Sequence, residues 1–256
     1  MEKHFVLVHG GCNGAWGWYK VASILKSAGH KVSALDMASC GINPKQVHEI
    51  RSLSDYFQPL IEFLESLPPQ EKVILVGHNH GCRGISIAME RFPDKISVAV
   101  FASAQMHGPN LNLSTCTEEY YRSEGPLFDV KFDYADGSEN PATSVLFGPK
   151  ILSSRVYHLS PPEMLAAMLV RPHQLFNDPA MLDAMGALTE ERYGAVCRFY
   201  VVCPEDMVIK EDLQRWMIQH SPVDEEFVIY GSDHMLMCSK PQEFSAILQG
   251  IARKYE

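Results

Sequence analysis

The chain has 256 residues, of which 46% are hydrophobic, so it can bury the core of one α/β domain that carries an insertion. It contains 31 acidic and 22 basic residues, a formal net charge of -9, and no run of Lys and Arg stands out. This balance excludes nucleic acid and anionic membranes as expected partners, and the excess acid is expected to cover a solvated surface.

The cysteines and the N-terminal residues predict a cytoplasmic protein. The seven cysteines are dispersed and none has CxxC spacing, so we expect no disulfide framework, no metal site and no cofactor. The chain starts directly with a strand pattern and lacks the apolar region of a secretory leader, and no segment reaches the ~18 apolar residues of a membrane span. A homodimer is left open.

Short apolar runs bounded by turn residues predict buried parallel strands at 5–8, 32–35, 73–76, 96–101, 199–203 and 227–230. Helical periodicity predicts helices between them, at 16–28, 53–67, 81–91, 210–219 and 241–255. Alternating strands and helices are typical of a doubly wound, mostly parallel sheet. We therefore predict an α/β fold and a single domain that covers residues 1–256.

The alternation stops between residues 106 and 188, where prolines and aromatic residues are frequent. This segment is predicted to be a cap inserted between two strands of the sheet. Caps commonly roof a pocket and select the substrate, although a purely structural insertion would have the same composition. The aromatic side chains favour a small, mainly apolar ligand.

Glycines follow the first predicted strand, where the sequence is His9-Gly10-Gly11-Cys12. Glycine after a buried strand lets backbone N–H groups point into a cleft, where one of them can help to form an oxyanion hole. A simple turn is the alternative explanation.

The third strand leads into Gly77-His78-Asn79-His80-Gly81 and then a helix. Strand, tight turn and helix with this glycine spacing form the nucleophile elbow G-x-S-x-G, except that Asn79 stands at the serine position. The turn is too tight for side chains at the glycines, and the central side chain is expected to point into the pocket.

An acidic residue and a histidine complete the order of a catalytic triad. Asp206 follows the fifth predicted strand and His234 follows the sixth, and active sites of open α/β sheets form at such strand ends. Asp206 would fix the tautomer of His234 and stabilise its charged form. The alternative is a loop aspartate and a surface histidine.

The segments FVLVHGG, AGHKVSALD, EKVILVGH and GSDHM resemble the plant methylesterase family of α/β-hydrolase-fold proteins over essentially the whole chain. That family includes ester hydrolases, hydroxynitrile lyases and methylketone synthase. The resemblance implies that Gly11 and His80 supply the oxyanion-hole N–H groups and that Asp206 and His234 are the acid and the base. It also places Asn79 where the family has its serine.

Substrate contacts are expected from Gly10, Cys12 and Met235, which flank these motifs. The hydroxynitrile lyases of this family carry threonine or asparagine at the position of Gly10 and lysine at that of Met235, so cyanohydrin cleavage is disfavoured. Methylketone synthase also carries threonine at the Gly10 position.

Three functions remain open, because a carboxamide cannot lose a proton and attack as a serine does. His234 can act directly on a carbonyl metabolite as a general acid or base, with Asn79 orienting the substrate, in a decarboxylase, lyase or cyclase. His234 can instead activate water for ester hydrolysis, or the pocket can bind a ligand without chemistry. Cys82 is a conceivable replacement nucleophile, but a packed thiol is the simpler interpretation.

Overall fold

The computed structural model describes residues 2–161, 164–185 and 187–255. Residues 1 and 256, and positions 162, 163 and 186 of the predicted cap, lie outside the described residues. In chain order the elements are β1 (His4–Val8), α1 (Tyr19–Ser27), β2 (Lys31–Leu35), α2 (Leu53–Ser66), β3 (Val73–Asn79), α3 (Gly81–Arg91), β4 (Ile96–Ala104), α4 (Leu113–Ser123), β5 (Lys131–Asp133), β6 (Ser144–Leu146), α5 (Pro149–Ile151), α6 (Met164–Leu169), β7 (His173–Gln174), α7 (Pro179–Met185), β8 (Cys197–Val202), α8 (Glu211–His220), β9 (Glu225–Val228), α9 (Leu236–Ser239) and α10 (Pro241–Lys254).

Six strands form the central sheet in the order β2-β1-β3-β4-β8-β9, and each neighbouring pair is parallel. The predicted α/β architecture with a mostly parallel sheet is confirmed. β8 and β9 each begin two residues earlier than predicted. β8 is extended because Cys197 and Arg198 pair with β4, and β9 because Glu225 and Glu226 pair with β8 although glutamates break the apolar run.

The inner strands β1, β3 and β4 are buried on both faces, which explains their continuous apolar runs, whereas the edge strands β2 and β9 are only partly buried. Successive side chains of a strand point to opposite faces, so Phe5 and Leu7 of β1 pack into one core and Val6 and Val8 into the other. Helices α1 and α10 cover the first core, and helices α2 and α3 cover the second. Both layers leave the carboxyl ends of the strands available for a site.

The chain between β4 and β8 forms a separate three-stranded antiparallel sheet, in the order β5-β6-β7, with helices α4 to α7. The guanidinium of Arg171 fastens this region to the loop after β2 by donating hydrogen bonds to the carbonyl oxygens of Gly41, Asn43 and Lys45. Pairing of β6 with β7 sets Val145 opposite His173, and both side chains face the cavity described below.

None of the helices in the described ranges combines the length and the apolar character needed to cross a membrane.

Candidate active site

The elbow consists of the last residue of β3, the single residue His80 and the first residue of α3. Asn79 has a backbone φ of +51°, in the left-handed region that asparagine tolerates better than most residues. A side chain at Gly81 would place its Cβ 2.5 Å from the carbonyl oxygen of His9. The glycine is therefore required by the close approach of β1, and Asn79 is held in a strained turn.

The side chain of Asn79 lies against the loop after β1. The backbone N–H of Gly11 donates a hydrogen bond to Oδ1 of Asn79, with 3.3 Å between nitrogen and oxygen. This bond orients the amide so that its NH2 group is the half left to face a ligand. One of the two predicted oxyanion-hole donors is thus engaged by the elbow's own side chain.

His80 lines the cavity, and its backbone N–H stays a predicted oxyanion-hole donor. It precedes the first residue of α3, and the first N–H groups of a helix have no intrahelical acceptor. Its ring is buried between Phe57 and Phe176, with interplanar angles of 18° and 13°, and faces the ring of His173 at 4.3 Å between centroids. Burial holds the pKa of His80 well below its ordinary value, so the ring is neutral near pH 7.

His234 and Asp206 form a buried pair. Nδ1 of His234 donates to Oδ2 of Asp206 at 2.7 Å, which leaves Nε2 as the ring nitrogen available to the cavity. Oδ1 of Asp206 accepts from the backbone N–H groups of Val208 and Ile209, at 2.6 and 3.0 Å, and Oδ2 also accepts from the hydroxyl of Ser103. These bonds fix the carboxylate, which in turn fixes the imidazole.

His78 supports this pair from behind. Its Nε2 donates to the carbonyl oxygen of His234 at 2.8 Å, and the two rings lie 4.6 Å apart between centroids. Burial lowers the pKa of His78 well below its ordinary value. A neutral His78 therefore holds the backbone of His234 through this hydrogen bond without adding a charge beside its ring.

One cavity gathers most of the predicted site residues: Gly11, Cys12, Asn79, His80 and His234 line it. The remaining wall is largely apolar and comes mostly from the chain between β4 and β8, including Val130, Phe132, Val145, Phe147, Ile151, Val156 and Phe176.

Neither Gly10 nor Met235 is part of this lining. A Cβ at Gly10 would lie 2.8 Å from the Cβ of Asn79, so Gly10 faces the elbow. Met235 is buried in the core beside Gly17, and its N–H donates to Asp233. Their contact with a substrate stays a prediction without support from the cavity lining.

The cysteines near the elbow are packed thiols. Burial raises the pKa of Cys12 to about 12 and that of Cys82 well above its ordinary value. Cys82 is also not part of the cavity wall. A thiol that stays protonated is a poor nucleophile, which favours the interpretation of both cysteines as packed thiols.

Sequence reasoning missed several polar residues of the cavity, among them Arg83, Gln105, Thr117 and His173. A signal existed for Arg83, since it lies in the first turn of α3, directly after the elbow. Gln105 directly follows the carboxyl end of β4, where sites of open α/β sheets form, although no motif marks it. His173 follows no motif, and only the packing of the inserted region onto the sheet brings it to the site.

The alpha/beta hydrolase family matches residues 5–247 of the chain. Methyl jasmonate esterase 1 of Vitis vinifera is 52% identical, over 99% of this chain and 98% of the relative. Salicylic acid-binding protein 2 of Nicotiana tabacum is 46% identical over the same shares of the two chains.

A solved structure extends the comparison to three dimensions. It is a histidine-to-alanine variant of tomato methylketone synthase I in complex with beta-ketoheptanoate. That structure is 45% identical to this chain and superposes with a TM-score of 0.95, over 100% of this chain and 99% of the tomato chain. The predicted resemblance to plant methylesterases and methylketone synthase is confirmed.

Proposed function

The chain belongs to the alpha/beta hydrolase family, and from that premise we propose that it is an enzyme that transforms a small carbonyl metabolite by general acid–base catalysis. His234 is the acid–base group, Asp206 fixes its tautomer, and no covalent acyl-enzyme forms. The observation that carries this proposal is Asn79 at the centre of the elbow, bonded to Gly11, in the same cavity as the His234–Asp206 pair.

The absence of an acyl-enzyme follows from the chemistry of the groups at the elbow. A carboxamide does not ionise near neutral pH, and the two nearby thiols stay protonated. His234 is then the group whose Nε2 can exchange a proton with a ligand. The NH2 group of Asn79 and the N–H of His80 can donate to a carbonyl oxygen as negative charge develops on it.

Decarboxylation of a β-keto acid fits these groups. The bond between the α-carbon and the carboxylate breaks, CO2 leaves, and the electron pair forms an enolate whose oxygen is held by Asn79. The imidazolium form of His234 then gives its Nε2 proton to the α-carbon, which yields the ketone, and the neutral imidazole takes up a proton from solvent before the next turnover. The similarity to tomato methylketone synthase I, whose structure contains beta-ketoheptanoate, supports this choice.

Direct ester hydrolysis is the second candidate, because methyl jasmonate esterase 1 is 52% identical to this chain. In that case Nε2 of His234 takes a proton from water, the hydroxide adds to the ester carbonyl, and the alcohol leaves with the proton. The acid and the alcohol are then the products, and no CO2 forms.

The test compares the wild type with His234→Ala on beta-ketoheptanoate and on methyl jasmonate, with product analysis and calorimetry. We expect ketone formation above the uncatalysed rate, reduced about 10²- to 10⁴-fold in the variant. Binding should change only several-fold, since one hydrogen bond contributes about 1 kcal/mol. His220→Ala changes an exposed histidine and serves as the control.

Other outcomes decide between the alternatives. Ester hydrolysis without ketone formation would favour water activation by His234. Tight binding without turnover of either compound would identify a binding protein. Equal turnover by wild type and His234→Ala would place the chemistry on another residue.

A further inference from the structure

A buried cation lies in the wall of the cavity and has only neutral partners. Arg83 is 4% exposed. Its Nε and Nη2 donate to Oε1 of Gln105 at 3.0 and 2.6 Å, and Nη2 also donates to the hydroxyl of Thr117 at 2.9 Å. Among the described residues, Nη1 donates no hydrogen bond and no carboxylate pairs with Arg83.

Two neutral histidines face the same cavity. In the described part of the chain, neither His80 nor His173 forms a side-chain hydrogen bond, and Nε2 of His80 and Nδ1 of His173 are buried without a partner. Burial lowers the pKa of His173 to about 3, and the positive charge of Arg83 acts in the same direction. Each ring can therefore offer one N–H to a ligand without carrying charge.

The cavity does not neutralise Arg83 by itself. Burial lowers the pKa of Arg83 to about 10, which still leaves the guanidinium charged at neutral pH. Glu124 is the acidic residue in the lining, but it is half-buried and interacts with Arg155, and it forms no ion pair with Arg83. A buried charge normally has a partner of opposite sign, because desolvation without one is costly.

We propose that the polar part of this cavity, formed by Arg83, Gln105 and Thr117 beside His80 and His173, binds the carboxylate of the substrate. Gln105 and Thr117 hold the guanidinium plane, and Nη1 is left to donate to a carboxylate oxygen. The apolar wall covers the rest of the molecule. The substrate class is then an amphipathic organic acid with an apolar body, instead of a neutral apolar ester.

This inference rests on the proposed function only in placing the substrate in the same cavity. Its test therefore measures binding and needs no turnover. The probes are octanoate and octanamide, which share one apolar chain and differ in the charge of the head group. Both are titrated by calorimetry at low ionic strength, since salt screens a charge interaction.

We expect the wild type to bind octanoate about 10- to 100-fold more tightly than octanamide, as a hydrogen bond to a charged group implies. Arg83→Met should remove this preference while octanamide binding persists, which also shows that the variant is folded. Arg83→Lys keeps the charge and should retain part of the preference. Arg253→Met removes an exposed arginine and should leave both affinities unchanged.

Equal binding of the two probes by the wild type would overturn the inference, and so would an unchanged preference in Arg83→Met. The result is independent of the chemistry at His234. A protein that prefers octanoate through Arg83 but turns over no carbonyl compound would retain the anion site and lose the proposed function.

Discussion

Oδ1 of Asn79 accepts a hydrogen bond from the backbone N–H of Gly11, 3.3 Å away, across the gap between the elbow and the loop after β1. In a serine elbow this N–H would face the oxygen of a substrate. Here this N–H is engaged by Asn79, and the amide NH2 group of Asn79 is the donor left to face a ligand. Under the proposed acid–base mechanism this arrangement supplies a side-chain donor and no nucleophile, which suits chemistry on an enolate better than acyl transfer.

Asn79→Ser is expected to convert the elbow into an esterase site. Serine is too short to accept a hydrogen bond from the N–H of Gly11. Its hydroxyl would lie in the same cavity as His234, which Asp206 already orients. Hydrolysis of p-nitrophenyl butyrate should rise above the wild-type rate, and a fluorophosphonate probe should add its mass to the introduced serine alone. Ketone formation from beta-ketoheptanoate should fall.

Asn79→Ala is the matched control for this change. It also frees the N–H of Gly11 but supplies no hydroxyl, so neither hydrolysis nor a probe adduct should appear. A folded but inert Asn79→Ser would show that the oxyanion donors or His234 are misplaced. A probe adduct on the wild-type elbow would contradict the acid–base mechanism itself.

Gly10→Ala is expected to destabilise the protein by about 1–3 kcal/mol, the usual cost of overpacking. The added Cβ would lie 2.8 Å from the Cβ of Asn79, and the strained elbow has little room to withdraw. Urea unfolding measures the change. Gly250→Ala is the control, since a Cβ there meets nothing within 4 Å and the helix should gain about 0.5–1 kcal/mol. If Gly10→Ala changed the free energy of unfolding no more than Gly250→Ala does, the elbow would be able to move and accommodate the added Cβ.

The elbow and the His234–Asp206 pair could be predicted because local sequence determines them. Glycine spacing at 77 and 81 specifies the turn, and Asp206 and His234 each lie in the loop after an apolar strand. The hydrogen bond between Asn79 and Gly11 could not be predicted, because it joins residues that are 68 positions apart and meet only through the register of β1 with β3.

The polar part of the cavity that is proposed to bind a carboxylate could not be predicted from the sequence, for a related reason. Arg83 is held by Gln105 after β4 and by Thr117 in α4, and His173 arrives from β7. No periodic pattern connects these elements. Their meeting depends on how the inserted region packs over the sheet, which the proline-rich sequence between residues 106 and 188 does not specify.

Ser103→Ala is expected to lower turnover by less than about tenfold, the loss of roughly one hydrogen bond. Ser103 has a backbone φ of +40° and donates to Oδ2 of Asp206, but Val208 and Ile209 still hold the other carboxylate oxygen. KM should change little, because Ser103 does not line the cavity.

Two further variants serve as comparisons for Ser103→Ala, one expected to lose more turnover and one expected to lose none. Asp206→Asn should cost far more, on the order of 10² or greater, because an amide can favour the wrong tautomer of His234. Ser97→Ala removes a hydroxyl that donates to the carbonyl of Val73, remote from the pair, and should leave turnover unchanged. A Ser103→Ala loss as large as that of Asp206→Asn would mean that Ser103 alone positions the carboxylate.

Four buried histidines should make the protein less stable in acid. Burial lowers the pKa values of His9, His78, His80 and His173 in the folded protein, whereas each titrates near 6.5 when unfolded. Below pH 6.5 the unfolded chain therefore binds protons that the folded chain does not. As the pH is lowered below 6.5, the free energy of unfolding should therefore decrease by up to about 1.4 kcal/mol per pH unit for each of these histidines.

His173→Asn isolates one of these contributions. Burial lowers the pKa of His173 to about 3 in the folded wild type. The free energy of unfolding that depends on His173 therefore decreases as the pH is lowered from 6.5 to about 3. Urea unfolding at pH 7, 6 and 5 should show that the variant loses stability less steeply than the wild type, by up to about 1.4 kcal/mol per pH unit. His48→Asn changes an exposed ring and should keep the wild-type slope. Identical slopes for His173→Asn and the wild type would mean that His173 takes up its proton within the folded protein, with water or an anion entering the cavity to solvate it.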